Sequence, residues 1–559
     1  MQTFKISFKM LPVILFLFFF TGELKAQEYW AKTYGGSGSE YSYQILQTTD
    51  GGYIKTGPTT SFGAGGYDVW VVKLDAAGNI VWQKAYGGSA DEVPNDIQQT
   101  SDGGYVVLAR TASFGQGGFD FYVLRLDSSG NIVWQRTYGG GNDEYGYGIQ
   151  QTTDGGFIVA GAVLVSGSNY DIWVLKLTST GTVTWQRRYG GNQLEWAYGV
   201  QQTTDGGYVV VGRTATYGAG NGDYWVLKLD ASGNITWQKA YGGTGVDLAL
   251  SIHQTSDNGY ILNGRTESFG AGGVDFWIVR TDSAGTIVWQ KTFGGTGTDW
   301  GFKARQVADG SYIAVGQTTS FGAGAEDYWV IKLDASGNSQ WQRTFGGAAL
   351  DYAYSVAQAA DGSFLVGGVC GSFGSGGYDT LFLKLDASGN VGSSTCSMMG
   401  TTNVTPITPS ATTTTTNSNY NATTVTPGTP TWVPVDTTAA MQTYCYSASG
   451  SPGRVLDTLL ATKSSTNIAL TWQAPGGTCV PTGYGLYRGT LPWTGYNHAS
   501  VTCGIAATSY STPQGTGSYY YLIVPATAAN EGSYGRASSG SEISQGTSPC
   551  LTQSLTVCN

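Results

Sequence analysis

Tryptophan recurs at positions 30, 82, 134, 185, 237, 289 and 341, every 52 residues apart from a single interval of 51. Each Trp leads into Tyr-Gly-Gly or Phe-Gly-Gly, and ten residues after it stands an acid: Glu40, Glu92, Glu144, Glu195, Asp247, Asp299 and Asp351. A Gln follows at 47, 99, 151, 202, 254, 306 and 358. An Asp then marks a turn at 50, 102, 154, 205, 257, 309 and 361, and a second Asp opens an aromatic run at 68, 120, 171, 223, 275, 327 and 379. A period this regular means that one supersecondary unit is repeated seven times, each copy burying its apolar face against the next.

Within a copy, helical periodicity is absent and four short segments read as strands. In the third copy these are 144–151, 156–161, 171–177 and 182–189. Thr153-Asp154-Gly155-Gly156 and Asp230-Ala231-Ser232-Gly233-Asn234 are tight hairpin turns, because Asp, Asn and Gly tolerate the positive φ such turns demand. Four strands in an antiparallel meander, seven times over, describe an all-β chain folded as a seven-bladed β-propeller. A β-solenoid is the competing arrangement, though its coils are usually shorter. The tight Asp-x-x-Gly-Asn link places each Trp strand last in its blade. The seventh blade lacks one, since Asn390 runs into Val391-Gly392-Ser393, so the spare N-terminal strand 29–36 is expected to close it. Closure leaves no open edge between the two ends, and a monomer is expected.

The chain has 28 Lys+Arg against 38 Asp+Glu, a formal charge of −10, which argues against nucleic acid as a partner. Lys5 and Lys9, the apolar run Leu11–Phe20 and Leu24-Lys25-Ala26 form the three parts of a secretory leader over 1–26. Its removal leaves 25 basic and 37 acidic residues, a charge of −12, and nothing later is apolar enough to span a bilayer. A secreted, extracellular or cell-surface location follows. Six of seven Cys lie at or beyond 396, and export favours their pairing as Cys396 with Cys445, Cys479 with Cys503, and Cys550 with Cys558. Cys370 is left alone inside a repeat as a buried small residue. With no CxxC and only His253 and His498, no zinc site of ordinary composition is expected.

The propeller is expected over 27–392, followed by a Thr-rich, disulfide-bounded spacer over 393–450 and a β-sandwich over 451–559. Asp-Glu-Tyr-Gly-Tyr at 143–147, Asp-Gly-Gly-Tyr-Val-Val at 205–210, Ser-Phe-Gly-Ala-Gly-Gly at 61–66 and Lys-Leu-Asp-Ala-Ser-Gly-Asn at 228–234 resemble bacterial secreted seven-bladed β-propeller repeats. That resemblance spans about residues 28 to 391 and implies the fold; it implies no reaction. Ile468-Ala469-Leu470-Thr471-Trp472, Tyr484–Arg488 and Tyr519–Val524 are similar to strands of a fibronectin type III-like sandwich, with Pro525 and Cys479 departing from its pattern.

The repeated acids invite two readings. As a ring near the channel mouth they would attract a cation, with calcium an open alternative; as local caps they would accept the N–H groups of the Gly-rich loops before them, which is the favoured role. The repeated Gln and second Asp are expected to hydrogen-bond between blades, and the Trp series to pack between sheets. An asymmetric ligand should be met where the symmetry fails. Two columns of the first strand vary: Gln44, Asp96, Gly148, Gly199, Ser251, Lys303, Ser355, and Leu46, Gln98, Gln150, Gln201, His253, Arg305, Ala357. Trp300, Lys303, Arg305, His253 and Asp96 are therefore the candidate ligand-binding residues. Phe62, Phe114, Tyr217, Phe269, Phe321 and Phe373 offer either an aromatic platform on the loop rim or packing beneath it.

No Gly-x-Ser-x-Gly, His-Glu-x-x-His or phosphate loop is present. The expectation is an exported, non-catalytic binding, adhesion or scaffold protein whose propeller rim takes a glycan or protein ligand, without a cofactor. A glycan-active lyase or hydrolase and a purely structural surface spacer are the alternatives.

Overall fold

In the computed structural model, residues 29–391 and 398–399 are described in full, and beyond them only the strands named below. Seven antiparallel sheets form a ring. Blades one to six run from Gln44 to Tyr86, Glu92 to Tyr138, Glu144 to Gly190, Glu195 to Gly242, Asp247 to Phe293 and Asp299 to Phe345, each with four strands in sequence order. Blade seven takes Asp351–Gln358, Phe364–Cys370 and Asp379–Leu385 from one end of this region and Tyr29–Gly35 from the other. The N-terminal strand pairs antiparallel with the third, Trp30 opposite Lys384 and Tyr34 opposite Thr380, so the seam is closed as the phasing predicts. The core lies between blades, where each cluster joins strands two and three of one blade to those of the next.

Three repeated polar devices tie the ring. Each repeated Gln carbonyl accepts a backbone N–H of the hairpin turn in the preceding blade, as Gln99 does from Thr49 at 2.8 Å, and Gln47 accepts from Ala360 at 2.7 Å across the seam. The turn Asp of every blade pairs with a buried cation on strand three, at 2.8 Å for Lys73–Asp50, Lys176–Asp154, Lys228–Asp205 and Lys384–Asp361. The Trp series is half-buried rather than core: Trp82, Trp134, Trp185, Trp289 and Trp341 each donate the indole N–H to a backbone carbonyl in the next blade. Each ring also covers a turn Gly at positive φ, such as Gly233 (φ 79°) beneath Trp185, where an added Cβ would sit 2.9 Å from the indole. Trp30 alone in the series is fully buried, stacked on Phe382 at 5.5 Å, because the strand added to the outer edge of blade seven runs as far as Trp30, opposite Tyr446, whereas those added to other blades stop short of the Trp.

That strand belongs to the Thr-rich segment. Met399–Thr401 pairs with the outer strand of blade six, Thr412–Thr415 with blade four, Asn419–Ala422 with blade three, Val435–Asp436 with blade one and Ala440–Ser447 with blade seven. The segment visits the blades in circumferential order. In sequence, the stretch between the strands on blades six and four carries Pro406 and Pro409, and that between the strands on blades three and one carries Pro427, Pro430 and Pro434, residues that lack the N–H a ladder needs.

Residues 28–447 form one compact unit, and 448–559 belong to another. In the latter, Leu460–Lys463, Asn467–Thr471 and Ser509–Pro513 make a three-stranded sheet. A five-stranded one has the order Ala499–Ile505, Gly483–Thr490, Tyr519–Ala526, Asn530–Glu531, Thr552–Gln553. The leader over 1–26, His498, and the side chains of Cys396, Cys445, Cys479, Cys503, Cys550 and Cys558 lie outside the described residues, and the expected pairings with them. Cys370 is buried and unpaired and accepts the Phe373 N–H at 3.3 Å, in the column that holds Thr in most other blades.

Candidate functional site

The seven repeated acids are buried in the loops that precede them. Glu40 accepts from Gly36 N–H at 2.7 Å, from the Thr59 hydroxyl at 2.8 Å and from Ser61 N–H at 3.2 Å. Where Glu is replaced by the shorter Asp, as at 247, 299 and 351, a Ser hydroxyl reaches in at 2.7 Å to complete the set. Every one of these carboxylates is at most 3% exposed, so the channel mouth carries no ring of solvent-facing acids. The second repeated Asp also caps its own loop. Asp68 accepts from Ala64 and Gly65 N–H at 3.1 and 3.2 Å, a local bond where an inter-blade one is expected.

Burial pushes Asp68, Asp171, Asp223, Asp275 and Asp327 up to about 6, and Asp120 to about 7. Desolvation, with the nearby Asp120 and Asp143, raises Glu144 to about 8 against the Gly140 N–H alone; Val163 stands where five other blades place a Thr hydroxyl. Blade three also lacks the Phe-Gly-Ala loop; Arg188 replaces its amides with an ion pair to Asp171 at 2.8 Å. The turn acids move oppositely: Asp50, Asp154 and Asp205 are held near 2 by their Lys partners and by hydroxyl and amide bonds that outweigh desolvation. The folded chain therefore holds protons that the unfolded chain has released between about pH 4 and 6, so stability falls as pH rises through that window. The turn pairs lose their contribution below about pH 4. The thermal midpoint should be higher at pH 5 than at pH 8; a midpoint that rises over that interval would contradict the burial of these carboxyls.

The loop-rim aromatics are spent on packing. Phe62 lies 5.7 Å from Trp70, Phe114 5.6 Å from Tyr122, Tyr217 5.3 Å from Trp225, Phe269 5.4 Å from Trp277 and Phe321 5.4 Å from Trp329. Phe373 likewise packs on the core between blades six and seven. The first strands, by contrast, line a central channel of about 960 Å³. A β-bulge in the first strand, between residues such as Gly146 and Gly148, turns the 43 column toward the channel, where strict alternation would bury it beside Ile45. Tyr43, Tyr147, Tyr198, Phe302 and Tyr354 form a collar there, with Tyr43–Tyr354 at 4.9 Å, Phe302–Tyr354 at 4.6 Å and Tyr147–Tyr198 at 4.9 Å.

Beyond the collar, the channel gathers Asp96, His253, Lys303 and Arg305 from blades two, five and six. Lys303 donates to Gln44 Oε1 at 2.7 Å, and Gln44 donates through Nε2 to Asp96 Oδ1 at 2.8 Å, a polar bridge across the lumen. Asp96 also accepts Ile97 and Ile149 N–H at 2.9 and 3.0 Å. Enclosure, then the neighbouring Arg305, pushes the Lys303 ammonium down to about 7, while Asp96 opposes the shift. Desolvation and the same two cations bring His253 to about 4, so it is neutral at physiological pH. Trp300 stands apart. It does not line the channel and carries the Arg265 guanidinium 4.2 Å from its ring centroid. Missing from the sequence reading are the aromatic collar and Arg110, which lines the channel beside Asn95. The signal available was the Tyr-rich 43 column next to an aliphatic 45 column.

No family model matches the chain. The regulatory protein FlaEY of Caulobacter vibrioides is 28% identical over 216 residues, which cover 34% of this chain and 22% of that protein. The chain thus spans about a fifth of that relative. Sqt1 of Chaetomium thermophilum superposes with a TM-score of 0.36 at 11% identity, over 65% of this chain and 99% of that one. A eukaryotic initiation factor gives 0.31 at 10%, over 64% and 98%.

Proposed function

We propose that the chain is an exported binding or scaffold protein whose propeller captures a glycan or protein ligand without turning it over. The observation that carries this is a division of labour. The seven-fold carboxylates and Gln carbonyls are consumed in holding loops and blades, whereas the polar side chains that differ between blades converge on one open channel. A ligand-sized cavity with a few convergent polar groups is the usual form of a binding site. The leader at 1–26 supports export. The strand pairing over 460–553, one sheet of three strands and one of five, supports a fibronectin type III-like module, a fold shared by many cell-surface domains.

The test is the purified chain lacking 1–26, presented to glycan and protein arrays and incubated with the polysaccharides it retains. Retention without release of shorter products is expected. Steady depolymerisation of a retained polysaccharide would assign an enzyme, and no retention on either array would leave only a spacer.

A further inference from the structure

The channel is one-sided in its hydrogen bonding. In the ring formed by the 46 column, Gln98 Oε1 accepts the Gln151 N–H at 3.3 Å, Gln201 Oε1 accepts the Gln254 N–H at 2.7 Å, and Gln150 Oε1 accepts the Gln202 N–H. These bonds fix the amide orientation and leave three Nε2 groups directed away from the backbone, with no acceptor among the described residues. The same ring supplies Arg305, whose Nε is buried with no partner and which forms no ion pair among the described residues, and His253. One layer away, Lys303 has an amide oxygen rather than a carboxylate as its partner. Of the charged residues lining the cavity, Lys303, Arg305 and Arg110 face a single carboxylate, Asp96, which is already held by two backbone amides and Gln44. A basic, donor-rich lumen inside a chain of net charge −10 is a local inversion of the protein's field.

We infer that the channel binds an acidic saccharide unit, its anionic group against Lys303 and Arg305 and its hydroxyl oxygens accepting from Gln98, Gln150 and Gln201. This rests on the binding reading above and names the ligand class. Lys303 and Arg305 stand two residues apart on one strand, about 7 Å along the backbone, form no ion pair among the described residues, and bracket a single anionic group. The cavity, about 960 Å³, is far larger than a bare inorganic oxyanion needs, and its surplus is lined by amides and tyrosine rings, the groups that meet sugar hydroxyls and sugar faces. Asp96 Oδ2, which accepts the Ile149 N–H, keeps a lone pair for a hydroxyl proton of the same unit.

Isothermal titration calorimetry of the full mature chain with D-glucuronate, D-galacturonate, D-glucose, inorganic sulfate and inorganic phosphate separates the sources of this chemistry. Saturable binding of at least one uronate, at least tenfold tighter than glucose and than either inorganic ion, is the expected result. Arg305→Ala and Lys303→Ser should each weaken it at least tenfold, and Gln150→Leu several-fold. These changes copy residues already present in the same two rings, Ala357, Ser355 and Leu46, and their thermal midpoints should stay near that of the parent chain. Equal affinity for glucose, equal affinity for sulfate or phosphate, no binding of either uronate, or uronate binding indifferent to Arg305→Ala would each overturn the assignment. Retention of an array ligand by the Arg305→Ala, Lys303→Ser double variant, in a chain that ignores uronates, would sink the channel assignment and leave the binding function standing.

Discussion

Deleting residues 29–35 is expected to abolish the cooperative unfolding transition of the propeller and drive the chain into oligomers. Blade seven would then keep only Asp351–Gln358, Phe364–Cys370 and Asp379–Leu385 of its four strands, with the edge that Tyr29–Gly35 covers exposed. Unpaired edges of this kind recruit other chains. The point substitution Trp30→Ala tests the same strand more finely. Trp30 is 0% exposed, stacks on Phe382 at 5.5 Å, meets Tyr53 edge-on at 6.1 Å and covers the turn at Gly78 in blade one, so it spans the seam itself. Its loss should cost about 4 kcal/mol by the usual scale for buried aromatic truncation. Trp237→Ala, in a half-buried member of the same column, should cost less than half of that. Equal midpoints for the two variants in thermal unfolding would show that the seam bears no special strain. Monomeric elution of the deletion at an unchanged midpoint would mean that Ala440–Ser447 can take the vacated place.

Gly316→Val is expected to be nearly as damaging, at about 4 kcal/mol, or to prevent recovery of folded protein. The bulge in the first strand of blade six brings the Trp300 carbonyl against the second strand, so that a Cβ on Gly316 would lie 1.8 Å from that oxygen. Because the obstacle is backbone, no rotamer change relieves it. The same approach recurs at Gly57, Gly161, Gly212, Gly264 and Gly368, where the distance ranges from 1.8 to 2.0 Å. Blade two is the natural control: it carries Ala109 in this column, opposite Pro94. Ala109→Gly should therefore change stability by no more than about 1 kcal/mol. Measured by denaturant unfolding, a Gly316→Val chain within 1 kcal/mol of the parent would mean that strand one can withdraw, and that the bulge does not hold the collar in place.

Much of the ring was legible because the information repeats. Seven Trp, seven acids and seven Gln at a constant period specify the number of blades, and the missing Trp strand after Asn390 specifies which segment closes the circle. The two variable columns of the first strand carried Asp96, His253, Lys303 and Arg305, which line one channel, whereas the ligand was expected on the loop rim. Trp300 does not join them, because it precedes the bulge and its ring pairs with Arg265 instead. The rim aromatics were ambiguous for a different reason. A Phe in a Gly-rich loop carries no mark of which way it folds, and Phe62 and its counterparts fold inward onto strand three. The Thr-rich segment was read as a spacer since its composition has too little apolar surface for a core. Backbone pairing to pre-existing blade edges needs no core, only free N–H and C=O groups on both sides.

Sequence alone determined the unit, its copy number and its closure, since identical copies of equal length can bury their faces only against one another. Only the tertiary structure decided what the lumen offers. Lys303 and Gln44 are 259 positions apart and meet at 2.7 Å because six blades curve them together. The direction of every collar ring depends on one extra residue in a strand whose pattern, taken locally, reads as unbroken alternation. Such contacts are set by closure of the whole circle, and no local stretch of the chain encodes them by itself.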